Sequence, residues 1–357
     1  MIPVTKPFLP PINEYNKFVR GIWKRNWLTN NGPLVKELER QLCEYLELNG
    51  LLFLGNGTVA LQIAIKALGL KGEIITTPFS YVATSSSIVW ENCTPVFVDI
   101  DPLTLNINAK KIREAITSKT SCILATHVFG NPCDIDEIEI IAKENGLKTI
   151  YDGAHAFGSK YKGRSVFEYG DVSTSSFHAT KLFHTIEGGA VIASKSSILK
   201  RMAIMRNFGH TGPDTFGEVG INGKNSEFHA AMGIVNLTYV DRILARRQEL
   251  STYYDETLVE LKLGRPLIND KAEFNYAYYS VIFESERSLL SALKKLNQSE
   301  IFPRRYFFPV LSQLPYVKKV HLPVAERISS TILCLPLYYT LTKSNIRMIS
   351  KVIKSVI

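Results

Sequence analysis

Between residues 51 and 194, short apolar runs alternate with amphipathic stretches. Leu51-Leu-Phe-Leu54 predicts a strand, and apolar positions at helical spacing from Val59 to Leu68 predict a helix behind it. Glu73 to Thr77 predicts the next strand, Tyr81 to Trp90 a helix, Pro95 to Asp99 a strand and Ala109 to Ile116 a helix. The alternation continues with a strand at Ser121 to His127, a helix at Asp134 to Glu144 and a strand at Lys148 to Asp152. Asp171 to Phe177 and Ala190 to Ser194 predict two more strands, joined by a polar loop. Strand and helix alternating at this spacing imply right-handed crossovers and a mainly parallel sheet buried on both faces. Ligands in such α/β folds bind outside the carboxyl ends of the strands, which singles out the loops after Leu54, Thr77, Tyr151 and Phe177. One long helix is expected from Phe228 to Leu261, then short strands over Asn275 to Phe283 and a helix near Ser288 to Leu296. The expected organisation is a large domain over residues 1–240 and a smaller α+β domain over 241–357.

Composition narrows the class without naming it. A chain of 357 residues, 45% hydrophobic and 21% charged, is globular. By surface scaling it can bury about three quarters of its unfolded surface. No run approaches the length of a membrane span, and Met1-Ile-Pro-Val-Thr-Lys-Pro7 lacks the apolar centre of a secretory signal. Five cysteines without a CxxC pair support neither a disulfide framework nor a metal cluster, so reduced thiols and a cytoplasmic location are expected. The net charge of +9 suits an anionic partner. Lys and Arg cluster only as pairs, such as Arg246-Arg247, so a small anionic ligand is expected rather than nucleic acid or a membrane.

Three positions could carry chemistry. Gly55-Asn-Gly-Thr58 joins a strand to a helix, where close backbone approach and the positive end of the helix suit a phosphate. The same pattern also makes an ordinary tight turn. Asp152 ends a strand, with His155 three residues on; a carboxylate there could orient an imidazole, pair with a cationic ring nitrogen, or simply cap a helix. Lys181, in Ser176-Phe-His-Ala-Thr-Lys181, could form an imine if burial lowers its pKa, although a lone lysine is usually a solvated surface charge. Together, a phosphate cradle, a carboxylate for a ring nitrogen and an imine-forming lysine after successive strands describe a pyridoxal 5′-phosphate site.

Six segments extend that combination: Gly55 to Leu61, Thr77-Pro-Phe-Ser-Tyr-Val-Ala-Thr84, Pro95-Val-Phe-Val-Asp-Ile-Asp-Pro102, Tyr151-Asp-Gly-Ala-His-Ala-Phe-Gly158, Ser176 to Lys181, and Gly220-Ile-Asn-Gly-Lys-Asn-Ser-Glu227. In order and spacing, through Leu335-Pro-Leu-Tyr338, the chain resembles the DegT/DnrJ/EryC1/StrS family of sugar aminotransferases. The resemblance implies a fold type I PLP-dependent transferase that works as a homodimer with shared active sites. It implies that Lys181 binds the cofactor covalently and that Asp152 pairs with its ring nitrogen. His155 would touch the phenolic oxygen and Tyr81 would stack on the ring. Gly57, Thr58 and Ser176 would hold the phosphate, and Asn222 would reach the phosphate in the other protomer. No metal is implied. The family often reads Gly-x-Asn-x-Arg-Met where this chain has Lys224 and Asn225, so a contact made by a forked guanidinium is not carried over.

The substrates implied are L-glutamate and a nucleotide-linked keto sugar. The run Ser176 to Gly189 resembles members that aminate C4 of dTDP-4-keto-6-deoxy-D-glucose, giving dTDP-4-amino-4,6-dideoxy-D-glucose for bacterial surface polysaccharide such as O-antigen. Amination at C3 of a dTDP-3-keto-6-deoxyhexose is the alternative. A non-catalytic PLP-binding regulator is another. The lysine at 181 argues against the sugar-dehydrating relatives, which have lost it. Arg304, in Arg304-Arg-Tyr-Phe-Phe-Pro309, falls where family members place residues near the sugar, or else in a structural turn.

Overall fold

The computed structural model describes residues 1–356. Seven strands form the central sheet: β1 (Leu52–Leu54), β2 (Glu73–Thr76), β3 (Thr94–Phe97), β4 (Thr120–Thr126), β5 (Lys148–Asp152), β6 (Val172–Ser176) and β7 (Gly189–Ala193). Across the sheet they run β1-β7-β6-β5-β4-β2-β3. Strands β3, β2, β4, β5 and β6 pair in parallel, whereas β7 runs antiparallel to both β6 and β1. The reason lies in the connections. Helices Ala83–Trp90, Ala109–Ala115 and Ile135–Glu144 cross over between β2, β3, β4 and β5, and the longer segment 153–171, with a small hairpin and a 3₁₀ turn, links β5 to β6. Strands β6 and β7 are joined by the shorter loop 177–188, which returns the chain in the opposite direction. The expected mainly parallel α/β architecture is therefore present.

Local chemistry starts the helices where the pattern asks for them. Asn56 caps Gly57–Ala67 by accepting the Val59 N–H, and Asp134 caps Ile135–Glu144. Helix Pro33–Tyr45 follows Gly32, which has no side chain to offer. Its cap comes from far along the chain: the buried Glu227 carboxylate accepts the N–H groups of Leu34 (3.0 Å) and Val35 (2.9 Å). A Cβ on Gly32 would stand 2.6 Å from Glu227 Cδ, so glycine is required by that close approach.

Two expectations in the C-terminal part are corrected. The single helix from Phe228 to Leu261 is two, Glu227–Leu237 and Val240–Leu258. At the break Thr238 Oγ1 donates to the Val235 carbonyl at 2.8 Å, and the N–H groups of Thr238 and Tyr239 take i−3 bonds. This tightens the last turn and redirects the chain without glycine or proline to announce it. The short strands expected over Asn275 to Phe283 reduce to one, Tyr279–Ile282, paired antiparallel with Ile332–Leu335. Around that pair lies a second hydrophobic cluster that includes Leu250, Tyr254, Leu289, Ile301 and Ile346. Ile2 joins it, because Ile2–Pro3 pairs in parallel with Ile301–Phe302.

Candidate active site

Strand register brings three neighbouring strands together at one place. Asp152, the last residue of β5, lies level with Thr126 of β4 and Thr174 of β6. Beside them is the start of helix Gly57–Ala67, and above them the segment Ser80 to Ala83. The result is a cavity of about 550 Å³. Gly57, Thr58, Tyr81, Asp152, His155, Ser176 and Lys181 all line it. Asn222 does not. It is exposed on the loop before helix Glu227–Leu237, where Gly223 O accepts the Gly55 N–H at 2.9 Å and so ties that loop to the turn entering the helix.

The helix end is open toward the cavity. Asn56 satisfies the N–H groups of Val59 through its side chain and of Ala60 through its carbonyl, which leaves those of Gly57 and Thr58 without a partner in the helix. A Cβ on Gly57 would stand 3.0 Å from Ser176 Cβ, so the glycine keeps this corner clear. Nearby Ser175 Oγ is buried with no partner. Free amides, hydroxyls and the positive helix end form a ready anion cradle.

Asp152 is 6% exposed and caps no helix. Its Oδ1 accepts the Ala154 N–H at 3.0 Å and its Oδ2 accepts the Thr84 hydroxyl at 3.2 Å. Behind Thr84 stands a hydroxyl chain, with Ser80 Oγ 2.9 Å from Thr84 Oγ1 and Thr126 Oγ1 donating to Ser80 at 3.2 Å. If each hydroxyl donates toward the carboxylate, the chain polarises in one direction. Sequence reading missed Ser80, Thr84 and Thr126 as a unit, since Thr126 comes from a strand more than forty residues beyond the segment that holds the other two. Burial pushes the Asp152 pKa up, against the lowering effects of the Ala154 amide, Lys181 and Thr84. A carboxylate this buried calls for a cation, and it makes no ion pair with any described residue.

Lys181 sits on the loop between β6 and β7. Its neck is closed by Phe177 N–H to Gly188 O at 2.7 Å and by Thr185 N–H to Phe177 O at 2.9 Å. Phe183 anchors the loop in the core, stacked on Phe157 at 4.4 Å. From the side, Asn225 Nδ2 donates to the carbonyls of Leu54 and Glu187, so the residue that departs from the family pattern cross-links the two loops flanking the cavity. Lys181 is half-buried and lines the cavity. Burial lowers its pKa to about 8, with Asp152 opposing. A depressed lysine pKa makes the neutral, nucleophilic form available. At pH 7.5 about a quarter of the amine is unprotonated, against about one part in a thousand for an ordinary lysine. The apoprotein should therefore contain one lysine whose trinitrophenylation rises with pH to a midpoint near 8, found at Lys181 by peptide mapping and lost in Lys181→Arg. A Lys181 midpoint above 10 would contradict this.

His155 is buried, its pKa lowered well below the usual value by burial and by Lys181, and its Nδ1 has no partner. It stacks on Phe307 at 5.5 Å and meets Tyr278 edge-on at 5.0 Å. Tyr278, Tyr306 and Arg304 also line the cavity. Tyr278 was missed in the sequence, where it reads as one more strand residue. Lys224 lies elsewhere, its Nζ 4.4 Å above the Phe208 ring. Among the described residues, no three His, Cys, Asp or Glu side chains gather as a metal site, and no helix is long and apolar enough to cross a membrane.

Residues 12–354 match the sequence pattern of the DegT/DnrJ/EryC1/StrS aminotransferase family. The chain belongs to that family. DegT/DnrJ/EryC1/StrS relatives include the dTDP-4-amino-4,6-dideoxy-D-glucose transaminase of Shigella dysenteriae, 39% identical over 99% of this chain and 98% of its own length. The Escherichia coli enzyme of the same name is 38% identical, again covering 99% and 98%. Among solved structures, DesI in the presence of its TDP-sugar product superposes with a TM-score of 0.93 at 31% identity, covering 99% of this chain and 92% of that one. The fold is thus that of the family's pyridoxal phosphate-dependent sugar aminotransferases, and this chain is one of them. The cavity suits the cofactor: an anion cradle, a buried carboxylate lacking a cation, an unpartnered His155 Nδ1 and a lysine of lowered pKa.

Proposed function

We propose that the protein moves an amino group from L-glutamate to C4 of dTDP-4-keto-6-deoxy-D-glucose. The product would be dTDP-4-amino-4,6-dideoxy-D-glucose, made in the cytoplasm for surface polysaccharide such as O-antigen. The observation that carries the chemistry is the convergence of Lys181, Asp152 and the Gly57–Thr58 cradle on one cavity. The choice of sugar is supported by the 39% identity to the Shigella dysenteriae transaminase.

Gly57, Thr58 and Ser176 would hold the cofactor's phosphate, Asp152 its ring nitrogen, Tyr81 and His155 its ring, and Lys181 its aldehyde carbon. When bound, the cofactor supplies an electron sink for the carbanion formed as the amino-bearing carbon loses its proton. Asp152, kept charged by the ring's cation and oriented by Thr84, holds a proton on the ring nitrogen. With the cofactor bound, Lys181 would take the proton from the donor's amino-bearing carbon and return it at the cofactor's C4′, as base and then acid. Its lowered pKa raises the share of neutral amine available for the first of these steps. After water has released the donor as its keto acid, the keto sugar would enter the same cavity, losing its carbonyl oxygen as water, and Lys181 would move the proton in the reverse sense. The two half-reactions make the exchange ping-pong.

Incubation with glutamate and a panel of 3-keto and 4-keto dTDP- and UDP-sugars, read by NMR of the product, tests the substrate. Nitrogen at C4 of the dTDP-4-keto sugar is expected; nitrogen at C3 would favour the alternative. We further read the protein as a homodimer in which Asn222 completes the other protomer's phosphate site. Its exposure outside its own cavity supports this. Mixing inactive Lys181→Ala with an inactive Asn222→Ala protein should restore part of the activity through hybrid dimers. No recovery, with subunit exchange demonstrated, would count against shared sites.

A further inference from the structure

Residues 275–278 form a strap from the cavity wall to the strand Tyr279–Ile282. Two buried polar side chains hold it, and neither has a role in the chemistry above. Asn275 is 2% exposed. Its Nδ2 donates to the carbonyls of His155 (2.8 Å) and Phe157 (2.9 Å), and its Oδ1 accepts the Ala277 N–H (3.1 Å). Gly130, at φ +90°, closes against this amide; a Cβ there would lie 2.2 Å from Asn275 Oδ1 and 2.8 Å from the His155 oxygen. Arg247, on helix Val240–Leu258 and 4% exposed, donates through Nη1 to the carbonyls of Ala277 (3.0 Å) and Tyr276 (3.4 Å).

These contacts are costly to assemble. Arg247 makes no ion pair with any described residue, and burial lowers its pKa to about 10. Tyr276 adopts φ +52°, which bulky side chains rarely do. What they achieve is placement. Tyr278 is set between two fixed peptides and the strand, with its ring edge-on to His155 at 5.0 Å and an interplanar angle of 71°. Asn275 holds the backbone of the same histidine.

We propose that Asn275 and Arg247 are positioning residues that fix, through Tyr278 and the His155 carbonyl, the plane in which His155 faces the cavity. They tie that plane to the helix and strand of the C-terminal part. The inference rests on the reading of His155 as a cofactor contact.

The test compares PLP-loaded wild type with Asn275→Ala, Arg247→Met and Arg247→Lys by visible circular dichroism of the bound cofactor, by the pH titration of its absorption, and by steady-state kinetics. Asn275→Ala and Arg247→Met should alter the dichroism and shift the absorption titration. They should lower kcat about ten- to a hundredfold with a much smaller change in the KM for glutamate. Arg247→Lys, which keeps a cationic donor, should recover part of the signal. Variants with unchanged dichroism, titration and kcat, and only a lower Tm, would overturn the proposal. Should those variants fail to fold, Tyr278→Leu leaves both anchors in place; it should show the same dichroic change, and wild-type dichroism there would equally overturn it. A wild-type protein without a PLP absorption band or any transamination would remove the functional reading, and this inference with it. A competent wild type with matching variants removes this inference alone.

Discussion

Lys181→Ala should lower turnover by at least about 10²–10⁴-fold, the range that positioned proton transfer contributes, with the loss of covalent attachment added to it. The effect should be seen in each half-reaction, because the same amine moves the proton both ways. Lys181→Arg should be as inactive: a guanidinium is not deprotonated in proteins and cannot act as base. Rapid mixing of the PLP-loaded variant with glutamate, followed by absorption, isolates the first half-reaction from sugar binding. Transamination by Lys181→Ala at the wild-type rate would defeat the assignment. In the native protein, borohydride should fix the cofactor to Lys181 and nowhere else.

Asp152→Asn should separate stability from catalysis. In the cofactor-free protein the carboxylate is buried without a counter-ion and its pKa is raised. The unfolded chain then releases that proton at lower pH than the folded one. Stability from this group is present below the ordinary carboxylate pKa and is lost as pH rises through the raised value. A neutral isostere should therefore leave the Tm of the apoprotein at neutral pH unchanged or raised. With the cationic ring in place the sign reverses. Without the carboxylate the ring nitrogen loses the charge that keeps it cationic, and turnover should fall by about 10²–10³-fold, the range for removing one preorganised electrostatic partner. A lower apoprotein Tm with unchanged kcat would assign Asp152 a structural role instead.

The legible part of the fold was that governed by local pattern. The strands ending at Leu54 and Asp152 read as apolar runs because both faces of the sheet are covered, and Asn56 and Asp134 mark helix starts by their own hydrogen bonds. The break at Thr238-Tyr239 was not legible, because it arises from a carbonyl captured by a hydroxyl and a turn tightened by i−3 bonds. The strap at 275–278 read as strand for a similar reason: its Tyr-rich composition suits a strand, while Asn275 and Arg247 bend it from a distance.

The candidate site divides in the same way. Gly57, Thr58, Asp152, His155, Ser176 and Lys181 were accessible because each ends or follows a strand in a short segment whose residue types already suggest their chemistry. The Thr126–Ser80–Thr84 chain behind Asp152, the Asn225 link between two loops and the Tyr278 contact with His155 join residues that are distant in sequence.

By itself, then, the order of residues determined the alternating α/β layout, the strand ends where chemistry would gather and the kinds of group present there, since spacing and side-chain type are local properties. Tertiary structure alone decided which hydroxyl faces the carboxylate, how far burial lowers the lysine's proton affinity and what holds the histidine's plane. Those depend on desolvation and on contacts between distant segments, which exist only once the sheet has closed the cavity.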